Sequence, residues 1–168
     1  MKYTHYYYLL NVPKCGYIYQ TQTYHNLVQI IPNYCLFDYN VDDDIFRYNT
    51  VYRRRFKNSV FGKHMIDNHH IIPKEFKSHP LLQELHVDVA CSKNIVFLRN
   101  RFAKEFTYNN TYIYHDSHRK YNQFVHQELQ RIYSVTDQET KKYHFTLFFM
   151  YLWKGLTEND PYIKSLFS

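Results

Sequence analysis

Two adjacent histidines are the residues of this chain best suited to chemistry. They lie in the segment Asp-Asn-His-His-Ile-Ile-Pro at residues 67–73, an apolar stretch that ends at a proline. Successive side chains of an extended strand point to opposite faces. The two imidazoles can therefore approach one site from different directions, which is the arrangement of a metal ligand beside a base.

Two further polar clusters follow the histidine pair. Asn94 precedes the apolar run at residues 95–98, and residues 115–122 read His-Asp-Ser-His-Arg-Lys-Tyr-Asn at the start of a helical pattern. In a chain with 11 histidines, an adjacent pair on a surface strand is the plain alternative. A chance pair of histidines would not be expected to precede two further polar clusters in this order. We therefore interpret the three clusters, on strand, strand and helix, as parts of one site.

The residue types indicate metal-assisted hydrolysis. Neutral imidazoles are good ligands for divalent cations, and two of them with positions left for phosphate and water make a catalytic rather than a closed site. An unperturbed imidazole titrates near pH 6.5 and can take a proton from water at neutral pH.

The composition is basic and aromatic. The 168 residues carry a net charge of +6, which suits a polyanionic partner. The arginine block at residues 53–55 is either a solvated charged surface or a patch that contacts phosphate. The 19 tyrosines and 13 phenylalanines are interpreted mainly as codon bias of an AT-rich genome.

The cysteines and apolar runs indicate an intracellular protein. Three cysteines without a tight CxxC spacing predict no disulfide framework and favour a reducing compartment. The first residues lack a signal-peptide pattern, and the longest apolar run, residues 145–153, is about half a membrane span. We therefore expect a soluble protein of the cytoplasm or nucleus.

The elements that must position the clusters can be outlined from the pattern. Residues 1–60 are predicted to form short aromatic strands and turns, at 6–10, 17–19 and 28–31. Residues 64–72 are the first site strand, followed over 74–86 by a short helix in two pieces around Pro80.

The second half of the chain is predicted to be more helical. Residues 87–89 and 95–98 are predicted as strands joined by a turn. A helix is expected from an N-cap at Ser117 to Tyr133. Another is expected from Asp137 to Leu152 or beyond, with a short tail after Gly155; its predicted packing residues are Tyr143, Leu147, Phe148 and Tyr151.

The order and spacing of these motifs resemble the AHH family of the HNH/endonuclease VII superfamily, which are ββα-metal nucleases. The resemblance covers residues 64–133. It fails at the first position of the motif that gives the family its name, where this chain has Asn68 instead of alanine. It implies an α+β fold in which a ββα-metal motif is embedded in a small domain. We expect one compact domain with an aromatic β-rich extension at 1–60, a nuclease core at 61–135 and a helical support at 136–168.

The resemblance also implies roles for individual residues. His69 would be a metal ligand from the first strand and His118 the second, while His115 competes for that role or contacts the phosphate. His70 would be the general base. Asn94 would orient the base or tie the loop across the hairpin.

Other polar residues are assigned from their position. Arg119 or Lys120 is expected to clamp a neighbouring phosphate, with Arg53, Arg54 and Arg55 as further candidate substrate contacts. Asp67 is expected to accept a hydrogen bond from a ligand imidazole.

The function implied is metal-dependent endonucleolytic hydrolysis that leaves a 3′-hydroxyl and a 5′-phosphate. The cofactor is expected to be one divalent ion, Mg²⁺ first, with Zn²⁺, Mn²⁺ or Ni²⁺ as alternatives. The partner is expected to be nucleic acid, DNA before RNA. A catalytically inactive nucleic-acid-binding or structural descendant of a nuclease and a small basic protein-binding protein are the alternatives.

Overall fold

The computed structural model describes residues 18–20, 29–31, 47–61, 66–105 and 112–167. Near the N-terminus, strands β1 (Ile18–Gln20) and β2 (Gln29–Ile31) pair antiparallel, with Ile18 opposite Ile31. These two strands confirm the predictions at 17–19 and 28–31. The strand predicted at 6–10 lies outside the described residues.

A three-stranded sheet carries the histidine pair. It is built from β3 (Ile66–His70), β4 (Ile95–Asn100) and β5 (Tyr114–His115), in the order β3-β4-β5. β3 and β4 are antiparallel, with His69 opposite Val96 and His70 opposite Ile95, whereas β5 runs parallel to β4. Val96 lies in the hydrophobic core, so His69 faces the core side of the sheet and His70 the other side.

The described residues contain six α-helices and two short 3₁₀ turns. The helices are α1 (Val51–Phe61), α2 (Pro80–Glu84), α3 (Arg101–Glu105), α4 (Arg119–Tyr133), α5 (Gln138–Glu158) and α6 (Pro161–Ser165). The 3₁₀ turns are Lys74–Ser78 and Ser92–Asn94. The two predicted pieces around Pro80 are therefore confirmed as a 3₁₀ turn followed by α2.

The core lies between the sheet, α4 and α5. Helix α4 buries one face, consisting of Tyr121, Val125, Leu129 and Ile132. Together with β3 and β4 it forms the ββα unit, and the overall class is α+β, as predicted. No helix within the described ranges is both long and apolar enough to cross a membrane.

The C-terminal helices differ from the prediction in extent and in orientation. α5 continues past Gly155 to Glu158 and is followed by α6, where a short tail was expected. Of the four predicted packing residues, Phe148 is buried, whereas Tyr143, Leu147 and Tyr151 are exposed. The helix is apolar on most of its circumference, so the pattern did not define which face is buried.

Three local predictions are also wrong. Residues 51–61 form helix α1 where short strands and turns were expected. Residues 87–89 form a loop, because the strand partner of β4 is β3. The N-cap of α4 is His118 and not Ser117, and its side chain makes no capping hydrogen bond, which leaves the imidazole available to the site.

Candidate active site

Three histidines from three separate elements converge beside the sheet. His69 comes from β3, His115 from β5 and His118 from the N-cap of α4. The candidate ligand atoms of the three rings all lie within 4.8 Å of one another. Parallel pairing of β5 with β4 places Asn100 opposite His115, which brings His115 to the same side of the sheet as the helix start.

Hydrogen bonds fix the tautomers of two of these imidazoles. His115 Nδ1 lies 3.3 Å from Asp67 Oδ2, and His118 Nδ1 lies 2.9 Å from Asn122 Oδ1. Carboxylate and amide oxygens accept hydrogen bonds, so each Nδ1 donates and each Nε2 keeps a lone pair for a metal. The Asn122 amide is itself oriented, because its Nδ2 donates to Glu75 Oε1 at 2.7 Å.

The third imidazole, His69, is held neutral by its surroundings. It is 2% exposed, and its Nε2 is buried with no hydrogen-bond partner among the described residues. Burial lowers the pKa of His69 well below its ordinary value, and the neighbouring His115, His118 and His70 lower it further. A buried neutral nitrogen without a partner, beside two oriented imidazoles, fits a divalent cation.

An apolar wall closes one side of the histidine cluster. The ring centroids of Tyr121 and Phe167 each lie 5.3 Å from that of His69. The Tyr121 hydroxyl donates to the Ile71 carbonyl oxygen at 2.6 Å, which fastens α4 to the residue that follows β3. Sequence reasoning did not assign Phe167 to the site, because it is separated from the histidines by α5 and α6.

His70 has a different environment from its neighbour. Its ring lies 4.4 Å from that of Tyr48, and its Nε2 is buried without a hydrogen-bond partner in the part of the chain described. Burial lowers the pKa of His70 to about 4, with further contributions from the positive charges of Lys74 and Arg53 and from His115. The ring is therefore neutral at pH 7, but it is not the unperturbed imidazole that the sequence suggested.

The two histidines of β3 line the same cavity, of about 200 Å³, as His115 and His118. It is lined by Asn68, His69, His70, Pro73, Lys74, Glu75, His115, His118 and Asn122. Lys74 and Glu75 were missed by sequence reasoning, although both directly follow the proline that ends the histidine segment. Asn122 lies four residues after His118, the spacing that puts two side chains on one face of a helix.

The comparison with protein families agrees with this geometry. The model of the AHH family, a nuclease family of the HNH/ENDO VII superfamily with conserved AHH, matches residues 53–146. The chain belongs to the AHH family. No curated protein and no solved structure shows significant similarity to it. The family is one of nucleases, so nucleic acid is the substrate class of this AHH protein.

Asn94 is bound to the backbone of the AHH site loop. It is 1% exposed; its Oδ1 accepts from Ile72 N at 2.7 Å. Its Nδ2 donates to the carbonyl oxygens of Ile72 at 2.9 Å and Val89 at 2.8 Å. Of the two roles expected for Asn94, these contacts correspond to tying the loop.

The three arginines at residues 53–55 of the AHH protein all lie on helix α1 but differ in burial. Arg53 is fully buried, whereas Arg54 and Arg55 are exposed. Arg53 donates from Nε to Asn68 Oδ1 at 2.8 Å and from Nη2 to the Ile95 carbonyl oxygen at 3.1 Å. This burial corrects the expectation of a surface phosphate contact at Arg53.

The exposed basic residues remain candidate phosphate contacts. Arg54 and Arg55 lie on α1, and Arg119 and Lys120 form the exposed first turn of α4, directly after His118. Their exposure leaves them accessible to a polyanion.

Proposed function

We propose that this protein is a divalent-metal-dependent endonuclease that hydrolyses phosphodiester bonds in nucleic acid, DNA before RNA. The observation that carries the proposal is the convergence of three imidazoles in a cavity that also contains a fourth, neutral histidine. Basic residues at the start of α4 and on α1 would contact the flanking phosphates.

His69, His115 and His118 would hold the metal ion, so that His115 joins His118 and does not replace it. When bound, a divalent cation would supply charge stabilisation for the phosphate oxygens. An all-imidazole set suits Zn²⁺ or Ni²⁺ better than Mg²⁺ or Mn²⁺, which prefer oxygen ligands. We therefore propose Zn²⁺ or Ni²⁺ before the Mg²⁺ that was expected first from the sequence.

His70 would accept the proton of the attacking water. Its low pKa keeps the ring unprotonated, and the cationic neighbours Lys74 and Arg53 contribute to that low value. A phosphate beside Lys74 would offset its positive charge and raise the pKa of His70. Substrate binding would therefore make His70 a stronger base at the moment when a base is needed.

Lys74 is the side chain suited to receive that phosphate. It is exposed, follows the site strand and lines the same cavity as the four histidines. Its ammonium group would act as a compact positive charge next to the scissile phosphate.

The test is cleavage of plasmid DNA and of RNA by the purified protein with Zn²⁺, Mn²⁺, Ni²⁺ or Mg²⁺, and then with EDTA. We expect metal-dependent cleavage that EDTA abolishes, and its loss in His70→Ala with an unchanged melting temperature. His144→Ala, outside the site, is the matched histidine control. Full activity in His70→Ala would refute its role, whereas metal and nucleic-acid binding without cleavage would favour the inactive descendant.

A further inference from the structure

A second cavity, of about 400 Å³, adjoins the histidine site. It shares His70 and Lys74 with the metal-side cavity and extends from them towards Tyr48, Lys77 and the loop at residues 87–90. The shared residues are those proposed to take the proton and to bind the scissile phosphate. Whatever occupies the second cavity would therefore lie directly beside the bond that is cut.

The walls of this second cavity are fastened to the site strand. Tyr48 N donates to the Ala90 carbonyl oxygen at 2.9 Å, and the guanidinium of Arg47 pairs with the Asp88 carboxylate at 2.5 Å. The Asn94 amide bonds both the loop wall, at Val89, and the residue after the site strand, Ile72. These contacts connect the walls of the cavity to the segment that carries His70.

The lining of the cavity combines positive charge with an aromatic surface. Lys74 and Lys77 are exposed cations, while the one carboxylate of the lining, Asp88, is neutralised by Arg47 and accepts from Ala90 N. The Tyr48 ring has the Lys74 ammonium 5.4 Å from its centroid. Lysines that track a phosphate backbone and an aromatic ring that receives a base are the recurring parts of sites for unpaired nucleic acid.

We propose that this cavity seats one unpaired nucleotide next to the scissile phosphate, with its base against Tyr48 and its phosphate against Lys77. The inference depends on the proposed function, since it assigns the substrate of the same site. A volume of about 400 Å³ is at the lower end of the range of small-ligand pockets, which suits a single nucleotide. The nuclease would therefore prefer single-stranded or locally unpaired substrates, where no base has to be unstacked.

Binding without cleavage tests the inference directly. A fluorescein-labelled single-stranded oligonucleotide and the duplex of the same sequence are titrated with protein in EDTA, and anisotropy is recorded. We expect the wild type to bind the single strand more tightly than the duplex, Tyr48→Ala to lose about tenfold in single-strand affinity, and Tyr48→Phe to retain it. Lys77→Ala should reduce the salt slope of single-strand binding by about 0.7.

Matched controls are available elsewhere on the surface. Tyr143→Ala and Lys154→Ala remove an exposed tyrosine and an exposed lysine of α5 that do not line either cavity. Both should bind the single strand like the wild type. If Tyr48→Ala does not fold, judged by its melting curve, the exposed position Lys77 decides the test.

The outcomes separate this inference from the proposed function. Equal or tighter binding of the duplex, or unchanged single-strand binding by Lys77→Ala and a folded Tyr48→Ala, would overturn the inference while metal-dependent cleavage by the wild type stands. Conversely, a wild type that cleaves no phosphodiester with any metal, but whose single-strand binding depends on Tyr48 and Lys77, would overturn the proposed nuclease activity and leave the nucleotide site in place.

Discussion

Replacing Asn94 by alanine should weaken the fold more than any surface change in this chain. The substitution removes three hydrogen bonds in a region where Asn94 is 1% and Ile72 0% exposed. At a net value of about 1 kcal/mol for each bond, the loss is about 3 kcal/mol, and backbone groups left buried without a partner raise it. We expect the free energy of unfolding to fall by about 3–5 kcal/mol, a large part of the stability of an ordinary domain.

Urea denaturation measures this loss, with the fluorescence of the single tryptophan, Trp153, as the probe. The denaturation midpoint should move to lower urea at an unchanged slope. Gln130→Ala removes an exposed amide from α4 and should change stability by less than about 0.5 kcal/mol. A decrease of under about 1 kcal/mol in Asn94→Ala would show that water replaces the lost bonds and that Asn94 does not tie the loop.

Two further predictions follow from buried and oriented polar groups. Arg53→Ala should lower the free energy of unfolding by about 3 kcal/mol in the same assay, because it leaves Asn68 Oδ1 and the Ile95 carbonyl oxygen without their donor. Arg54→Ala, on the exposed face of α1, is the control. Equal effects of the two substitutions would contradict a stabilising role for the buried Arg53 guanidinium. Asp67→Asn should weaken metal binding about tenfold in calorimetry, since the carboxylate orients the His115 ring. Asp116→Asn is the control, because it removes the same charge from the exposed residue that follows His115. An equal loss in Asp116→Asn would point to charge and not to orientation.

The order of polar clusters along the chain predicted a strand, a second strand and a helix, and the resemblance to the AHH family implied that they form a ββα unit. β3, β4 and α4 occur where an extended histidine segment, an apolar run and an amphipathic pattern were found. Of the three, α4 has the clearest periodicity, because it buries one apolar face. β4 is buried along its whole length, and Ile66 is the one apolar residue of β3. The pairing of the strands could not be predicted in the same way. β4 pairs with β3 through a long-range contact, which no local sequence pattern specifies.

Helix α1 shows why the region before the site was misassigned. Val51 and Tyr52 are exposed, while Arg53 is buried with its guanidinium 4.5 Å from the Phe97 ring centroid. Predictions from periodicity assume that apolar residues face inward. In α1 this assumption fails, because the residue that contacts the sheet is the charged Arg53. The same assumption failed in α5, where apolar residues occupy exposed positions as well.

At the site itself, the sequence identified the imidazoles and one of their hydrogen-bond partners, Asp67, but not the other, Asn122. It left His115 and His118 as competitors for one role, whereas both rings come together with His69. Tyr48 was not singled out, because it lies more than twenty residues before His70 in a chain where tyrosine is abundant. The hydrogen bond from Tyr48 N to the Ala90 carbonyl oxygen holds Tyr48 close to the site. No spacing of residues along the sequence predicts this bond.

Asn68, the departure from the family motif, is explained by the face of the sheet on which it lies. It is opposite Phe97 in the register, and its Oδ1 accepts from Arg53, which stacks on the same Phe97 ring. His69 points to the other side of β3, so the asparagine lies on the face of His70, where it lines the cavity without entering the set of metal ligands. An alanine at this position has no acceptor for Arg53, and a buried guanidinium needs one. The asparagine and the buried arginine are therefore best understood as one structural pair that supports the histidine strand.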